Sequence, residues 1–296
     1  MELIISAISQ GVLWGILSLG LFISFRILNI ADMTTEGCYP LGGAVCVVAM
    51  QQGVNPVMAI FLAMIAGGIA GAVTGFLMTV CKIPSLLAGI LTMTALMSVN
   101  LKIMQRPNLS LLNYETIFSD LAQFNLPKYY DVLLVGFILV ALLIVVMVWF
   151  FKTEWGQALI ATGDNPKMAI SLGISTNKMM VFGLMVSNSL IALAGAVLAQ
   201  YNGFSDVNSG IGTIVIALAA IIIGEVIFLD VSFTERLICI VFGSIIYRLL
   251  VVAVLKLEII SPNDFKLLSA MMVALCLSIP QIKKGFTLVS KCQGDE

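Results

Sequence analysis

Long apolar runs alternate with short polar breaks along the whole chain. A helix needs about 20 mostly apolar residues to cross a bilayer. Nine runs reach or approach that length: 3–25, 30–51, 56–79, 84–104, 131–151, 178–200, 211–229, 234–255 and 266–281. The last is short, as a tilted or broken helix would be. The pattern predicts an all-α polytopic membrane bundle of about nine spans, with eight to ten compatible with it, in one domain over 1–296. No break is long enough to house a water-soluble domain. Two breaks are long enough to hold structure of their own, 105–130 and 152–178.

The 152–178 break carries its own helix signals. Asp164 or Asn165 can cap a helix, because a short side-chain oxygen accepts an otherwise unpaired backbone N–H. Pro166 suits the first helical position, where no N–H is needed, and Gly173 suits the left-handed residue that ends a helix. A helix over 166–172 follows, about two turns long. Met168, Ala169 and Leu172 are expected on one face. So short a helix is not stable alone in water; it must lean on its own bundle or on a partner's groove. In the 105–130 break, Leu109, Leu112, Ile117, Leu121, Phe124, Tyr129 and Tyr130 read as an amphipathic segment at the membrane interface, or as a floor for an outside partner.

Positive charge sets the orientation. If nine spans cross, one set of breaks holds Arg26, Lys82, Lys152, Lys167, Lys178, Arg236, Lys283, Lys284 and Lys291, and the other Lys102, Arg106, Lys128, Lys256 and Lys266. The richer set faces the cytoplasm. The amino terminus is then outside, the carboxy terminus and the 152–178 break inside. Arg248 falls within a span and takes no part in the comparison.

Polar residues inside the apolar runs come next. The second run opens with Asp32, Thr34, Thr35 and Glu36, followed by Gly37, Pro40, Gly42 and Gly43. Pro lacks an N–H and Gly costs order, so a continuous helix is poorly supported there. Two readings stay open: a helix broken near the midplane, as at transport sites, or a cap in the cytoplasmic headgroup zone. A short echo, Asp206 to Gly210, follows the sixth run. It places spans 1–4 and 6–9 as inverted repeats about span 5. Gly67, Gly71 and Gly75 form a small-residue stripe for close helix packing. In the fourth run Met93, Met97 and Asn100 share a face with Gly89, Leu96 and Met104, which reads as helix packing or as the wall of a solute path.

Composition narrows the function. The chain is 60% apolar and 10% charged with a net charge of −1. That makes lipid its solvent and argues against nucleic acid. There is no histidine, and the six cysteines are not at metal spacing, so no metal site is expected. The start of the chain lacks the basic run and cleavage site of a secretory signal, and the first apolar run is expected to stay as a span. No Gly-x-x-x-x-Gly-Lys-Ser/Thr run exists, so the chain is not expected to hydrolyse ATP.

The run from Trp155, WGQALIATGDNPKMAISLGI, with Asn177 and Ala192 to Ala196, resembles the coupling segment of ABC-importer permeases of the branched-chain amino acid and ribose type. The stretch from Arg26 to Ala44 resembles one branch of that family, permeases of predicted tryptophan or aromatic amino acid importers. The resemblance implies a second permease copy or a related chain, two cytoplasmic ATPase subunits that hold ATP and Mg, and an external solute-binding protein. Gly163, Asp164, Asn165, Pro166, Met168, Ala169, Leu172 and Gly173 match the family's ATPase-coupling pattern. Met93, Met97 and Asn100 are the candidates for the path. The acidic run Asp32 to Glu36 departs from the branched-chain pattern; a branched-chain amino acid, a nucleoside and a sugar stay open as alternative substrates. Two rival functions remain: a gradient-driven transporter using Asp32, Glu36 or Glu225 as ion carrier, and an intramembrane enzyme, for which no nucleophile and base are paired.

Overall fold

The computed structural model describes residues 2–112, 114–121, 130–227, 232–256, 271 and 274. Helix α1 covers Glu2–Phe22 and passes into a π-helical turn, Ile23–Ile27. Helices α2 (Thr35–Gln51), α3 (Pro56–Thr79) and α4 (Ser85–Met104) follow. Strand β1 (Asn108–Ser110) and the short helix α5 (Ile117–Leu121) fill the first long break, and α6 (Tyr130–Lys152) crosses next. The second break holds α7 (Glu154–Asp164) and α8 (Pro166–Ser171). Helix α9 (Thr176–Asn202) leads to strand β2 (Phe204–Asp206), a 3-10 turn at Val207–Gly210, α10 (Thr213–Ile227) and α11 (Phe233–Lys256).

Among the described residues, seven helices are long and apolar enough to cross a membrane. Helix α2, at 17 residues, falls just short. The expected ninth span at 266–281 lies almost wholly outside the described residues. The expected start of span 2 at residue 30 is corrected. The chain is irregular from Leu28 to Met33, with Asn29 left-handed at φ 54°, and helix begins only at Thr35. In the 105–130 break β1 pairs antiparallel with β2, Leu109 opposite Ser205, and Leu111 is buried while Leu112 is exposed. Backbone pairing holds this end of the loop to the bundle, and Ile117 and Phe118 of α5 pack against the core. Phe124 and Tyr129 lie outside the described residues.

Helix α9 is the axis of the bundle. Its span is 72% buried, against 28% for α6. Small residues explain the close approach. A Cβ on Gly75 of α3 would come within 2.7 Å of Val181 Cα, and Gly67 and Gly71 meet Asn188 and Leu184 of α9 just as tightly. In lipid such packing replaces the hydrophobic drive between helices. Gly11 of α1 faces Ile245 of α11 in the same manner. The contacts come in matched pairs: α1 packs on α11 as α9 packs on α3, and α2 lies against α3 and α9 as α10 lies against α11 and α1.

Candidate functional site

Two regions carry the sequence-predicted residues, and one stretch of chain joins them. The first is the α7–α8 corner. Thr153 starts α7, its Oγ1 accepting the Gly156 N–H at 3.4 Å. Asn165 ends α7 and caps α8: its Oδ1 accepts the Met168 N–H at 3.1 Å. Pro166 follows at the first helical position and Gly173 is left-handed at φ 81°. Of the two capping residues offered by the sequence, Asn165 is the one used. Asn165→Ala is expected to cost α8 about 1 kcal/mol and to speed amide exchange across 166–172, read by hydrogen-exchange mass spectrometry. Unchanged exchange there would remove Asn165 as the cap.

The exposed face of α8 differs from the expected one. Ala169 is fully buried, whereas Met168, Ile170 and Leu172 are 46%, 61% and 67% exposed. Neighbouring positions on a helix lie about 100° apart. The small Ala169 turns in where α8 rests on α7 and α9, and its neighbours are left projecting. Ile170 was not singled out in the sequence, although its apolar side chain sits between two residues that were.

Behind α8, Gly163 lies against the π-helical turn of α1. A Cβ on Gly163 would overlap the Ile27 carbonyl oxygen, far inside van der Waals contact. Asn29 Nδ2 donates to the Gly163 carbonyl at 3.1 Å. A cavity of about 170 Å³ lies beside this contact, lined by Arg26, Asn29, Ile160, Asp164, Phe233 and Arg236. Arg26 Nε bonds Glu225 Oε1 at 2.9 Å, tying the π-helical turn to the last turn of α10. With Arg26 49% exposed, this pair belongs among those worth about 0–1 kcal/mol.

The irregular stretch after that turn climbs to the second region, in the middle of the bundle. Asp32 is 4% exposed. Its Oδ2 accepts from Asn188 Nδ2 at 2.7 Å and its Oδ1 from the Thr34 N–H at 2.9 Å. Asn188 stands near the middle of α9, so the chain break is deep in the bundle. Thr34 Oγ1 meets Thr74 Oγ1 of α3 at 2.8 Å, and Thr35 Oγ1 donates to the Asp32 carbonyl at 3.1 Å. Glu36 Oε1 accepts the Gly212 N–H at 2.9 Å, just before α10 begins. The amino ends of α2 and α10 therefore meet at one level.

The same local bonding occurs twice. Asp206 Oδ1 accepts the Asn208 N–H at 2.6 Å, and Ser209 Oγ donates to the Asp206 carbonyl at 2.7 Å. These are the bonds that Asp32 makes with the residues two and three positions on. Met93 and Met97 are half-buried and Asn100 fully buried. Asn100 Nδ2 donates to the Gly37 carbonyl at 3.2 Å, and Gly37 lies close on Met93 and Leu96. The α4 stripe thus faces the first turns of α2. Ser187-Asn188 inside an apolar run is the sequence signal for this contact, but the partner of Asn188 is 156 positions away.

A family model described as "Branched-chain amino acid transport system / permease component" matches residues 3–277. The chain belongs to this permease family. The permease is 37% identical over 271 residues to the tyrosine transport system permease protein of Clostridioides difficile (strain R20291), covering 91% of this chain and 88% of that one. It is 37% identical over 291 residues to an uncharacterized protein of Rickettsia prowazekii (strain Madrid E), covering 96% and 99%. Against the autoinducer 2 import system permease protein LsrC of Yersinia pestis (strain Pestoides F) the identity is 29% over 179 residues, 60% and 49% of the two chains. A chain of the PsaBC complex from Streptococcus pneumoniae, solved with a Fab, superposes with a TM-score of 0.50 at 13% identity over 93% and 89% of the chains, a likeness of fold alone. The permease is thus a multi-pass protein of a bacterial membrane, of the ABC-importer type.

Proposed function

We propose that the permease is the membrane-spanning subunit of an ATP-driven importer for an amino acid with an aromatic side chain. The supporting observation is its likeness, over most of both chains, to a permease named for tyrosine transport. In this reading α8 faces the cytoplasm and seats Met168, Ile170 and Leu172 in a groove on an ATPase subunit. Two ATPase subunits bind ATP and Mg, a second permease copy or a related chain completes the conduit, and an external binding protein delivers the solute. Gly163 and Asn29 pass the motion of α8 to the π-helical turn and so to the broken entry of α2. The path runs beside that entry, past Met93, Met97 and Asn100, with Asp32, Thr34, Thr35 and Glu36 holding the break. Spans 1–4 and 6–9 are inverted repeats, which the paired helix contacts and the twin Asp32 and Asp206 turns support. A gradient-driven carrier is not favoured: both Asp32 oxygens already hold donors and Glu225 is paired with Arg26.

The test is purification through a tag on the permease, followed by reconstitution with the copurified ATPase and its binding protein. Uptake of L-[3H]tyrosine that needs ATP on the α8 side is the expected result. Uptake that follows an ion gradient without any ATPase would sink the reading.

A further inference from the structure

Arg248 lies in α11, inside a membrane span, at the level of the last turn of α9 and at the end of the bundle away from α8. Its Nε and Nη2 both donate to one neutral acceptor, Gln10 Oε1 of α1, the first at 2.8 Å. Among the described residues no carboxylate stands within salt-bridge distance of it, and Nη1 has no protein acceptor. The guanidinium sits over the Trp14 ring, 5.7 Å from its centroid, and Trp14 stacks on Tyr39 of α2 at 5.9 Å. Gln10 Nε2 in turn donates to the Tyr201 hydroxyl at 3.4 Å. Gln10, Trp14 and Arg248 are all half-buried.

A charged side chain within a span is costly unless something compensates it. One amide oxygen shared between two N–H groups satisfies geometry but not charge. A guanidinium fork presents paired donors that match a carboxylate. We infer that Arg248 binds the carboxylate of the transported amino acid on the outer half of the bundle, its guanidinium held in place by Gln10 and the Trp14 ring. The inference rests on the amino-acid reading given above. A phospholipid phosphate offers the same anion chemistry, and the test separates the two sources.

Gln10→Glu is the deciding variant. It keeps the shape of Gln10 and places a fixed carboxylate against the guanidinium. The assembled transporter, with ATPase and binding protein, is reconstituted in proteoliposomes and given L-[3H]tyrosine below saturation. Occupying Arg248 internally is expected to slow uptake about tenfold or more while raising the unfolding temperature. A purely structural arginine would gain stability and lose no transport, so wild-type uptake by Q10E overturns the inference. Wild-type uptake together with loss of a bound phospholipid in the native mass spectrum assigns the site to lipid and overturns it equally. Where Q10E does not reach the membrane, Arg248→Lys must import faster than Arg248→Gln, because only lysine keeps the charge; equal rates overturn it. A wild type that imports no carboxylate-bearing solute removes the amino-acid reading and this inference with it.

Discussion

Leu172→Asp is expected to abolish ATP-driven uptake while the bundle stays folded. Leu172 is 67% exposed at the end of α8 and packs against little of its own chain. Replacing it costs the isolated permease almost nothing, since exposed substitutions usually stay within about 0.5 kcal/mol. Seated in an apolar groove, an unpaired carboxylate costs on the order of 3 kcal/mol, about a hundredfold in the affinity of each ATPase contact. The measurement is uptake per unit of permease in the membrane, with the amount of copurified ATPase and the unfolding temperature read alongside. Full uptake at a normal membrane level would show that α8 is not the handle. Ile170→Asp, at 61% exposure, belongs with it. Ala169→Asp does not, because Ala169 is buried and its replacement disturbs the fold itself.

Gly163→Ala is expected to have the second-largest effect, by a different route. The added methyl lands on the Ile27 carbonyl oxygen, which is backbone and cannot swing aside. Overpacking of this kind costs about 1–3 kcal/mol, and roughly 2–4 °C of unfolding temperature goes with each kcal/mol in a chain of this size. The greater loss is in transport. Forcing α7 off the π-helical turn also strains the Asn29 bond to Gly163, the direct link from the α8 corner to the broken entry of α2. Gly53→Ala, in the turn between α2 and α3, is the control. It has no heavy atom within 4 Å of the new Cβ and bears only the strain of a left-handed residue at φ 86°, about 1 kcal/mol. G163A transporting like G53A, at equal membrane levels, would rule out this contact as the transmission point.

The local signals in the sequence were sufficient for the α8 corner. Asn165, Pro166 and Gly173 act within a few residues of themselves, so their roles follow from spacing alone. The glycine stripe of α3 was legible for the same reason: close helix approach in lipid needs small residues wherever it occurs. The late start of α2 was only half legible. Pro40 and the glycines argued against a continuous helix, yet the depth of the break is fixed by Asn188, a side chain on another helix. Ala169 was grouped on one face with Met168 and Leu172 because periodicity orders positions around a helix without saying which neighbour the helix leans on. The β1–β2 pairing joins segments almost a hundred positions apart and has no local signature in three-residue strands.

The meeting of the amino ends of α2 and α10 bears on why acids are tolerated so deep in an apolar bundle. Each helix start carries about half a positive charge from its aligned peptide dipoles. Two such starts converge beside Glu36, with Asp32 three positions ahead of the first helix. The carboxylates are thereby offset in part by the backbone itself, through helix starts that come from distant parts of the chain.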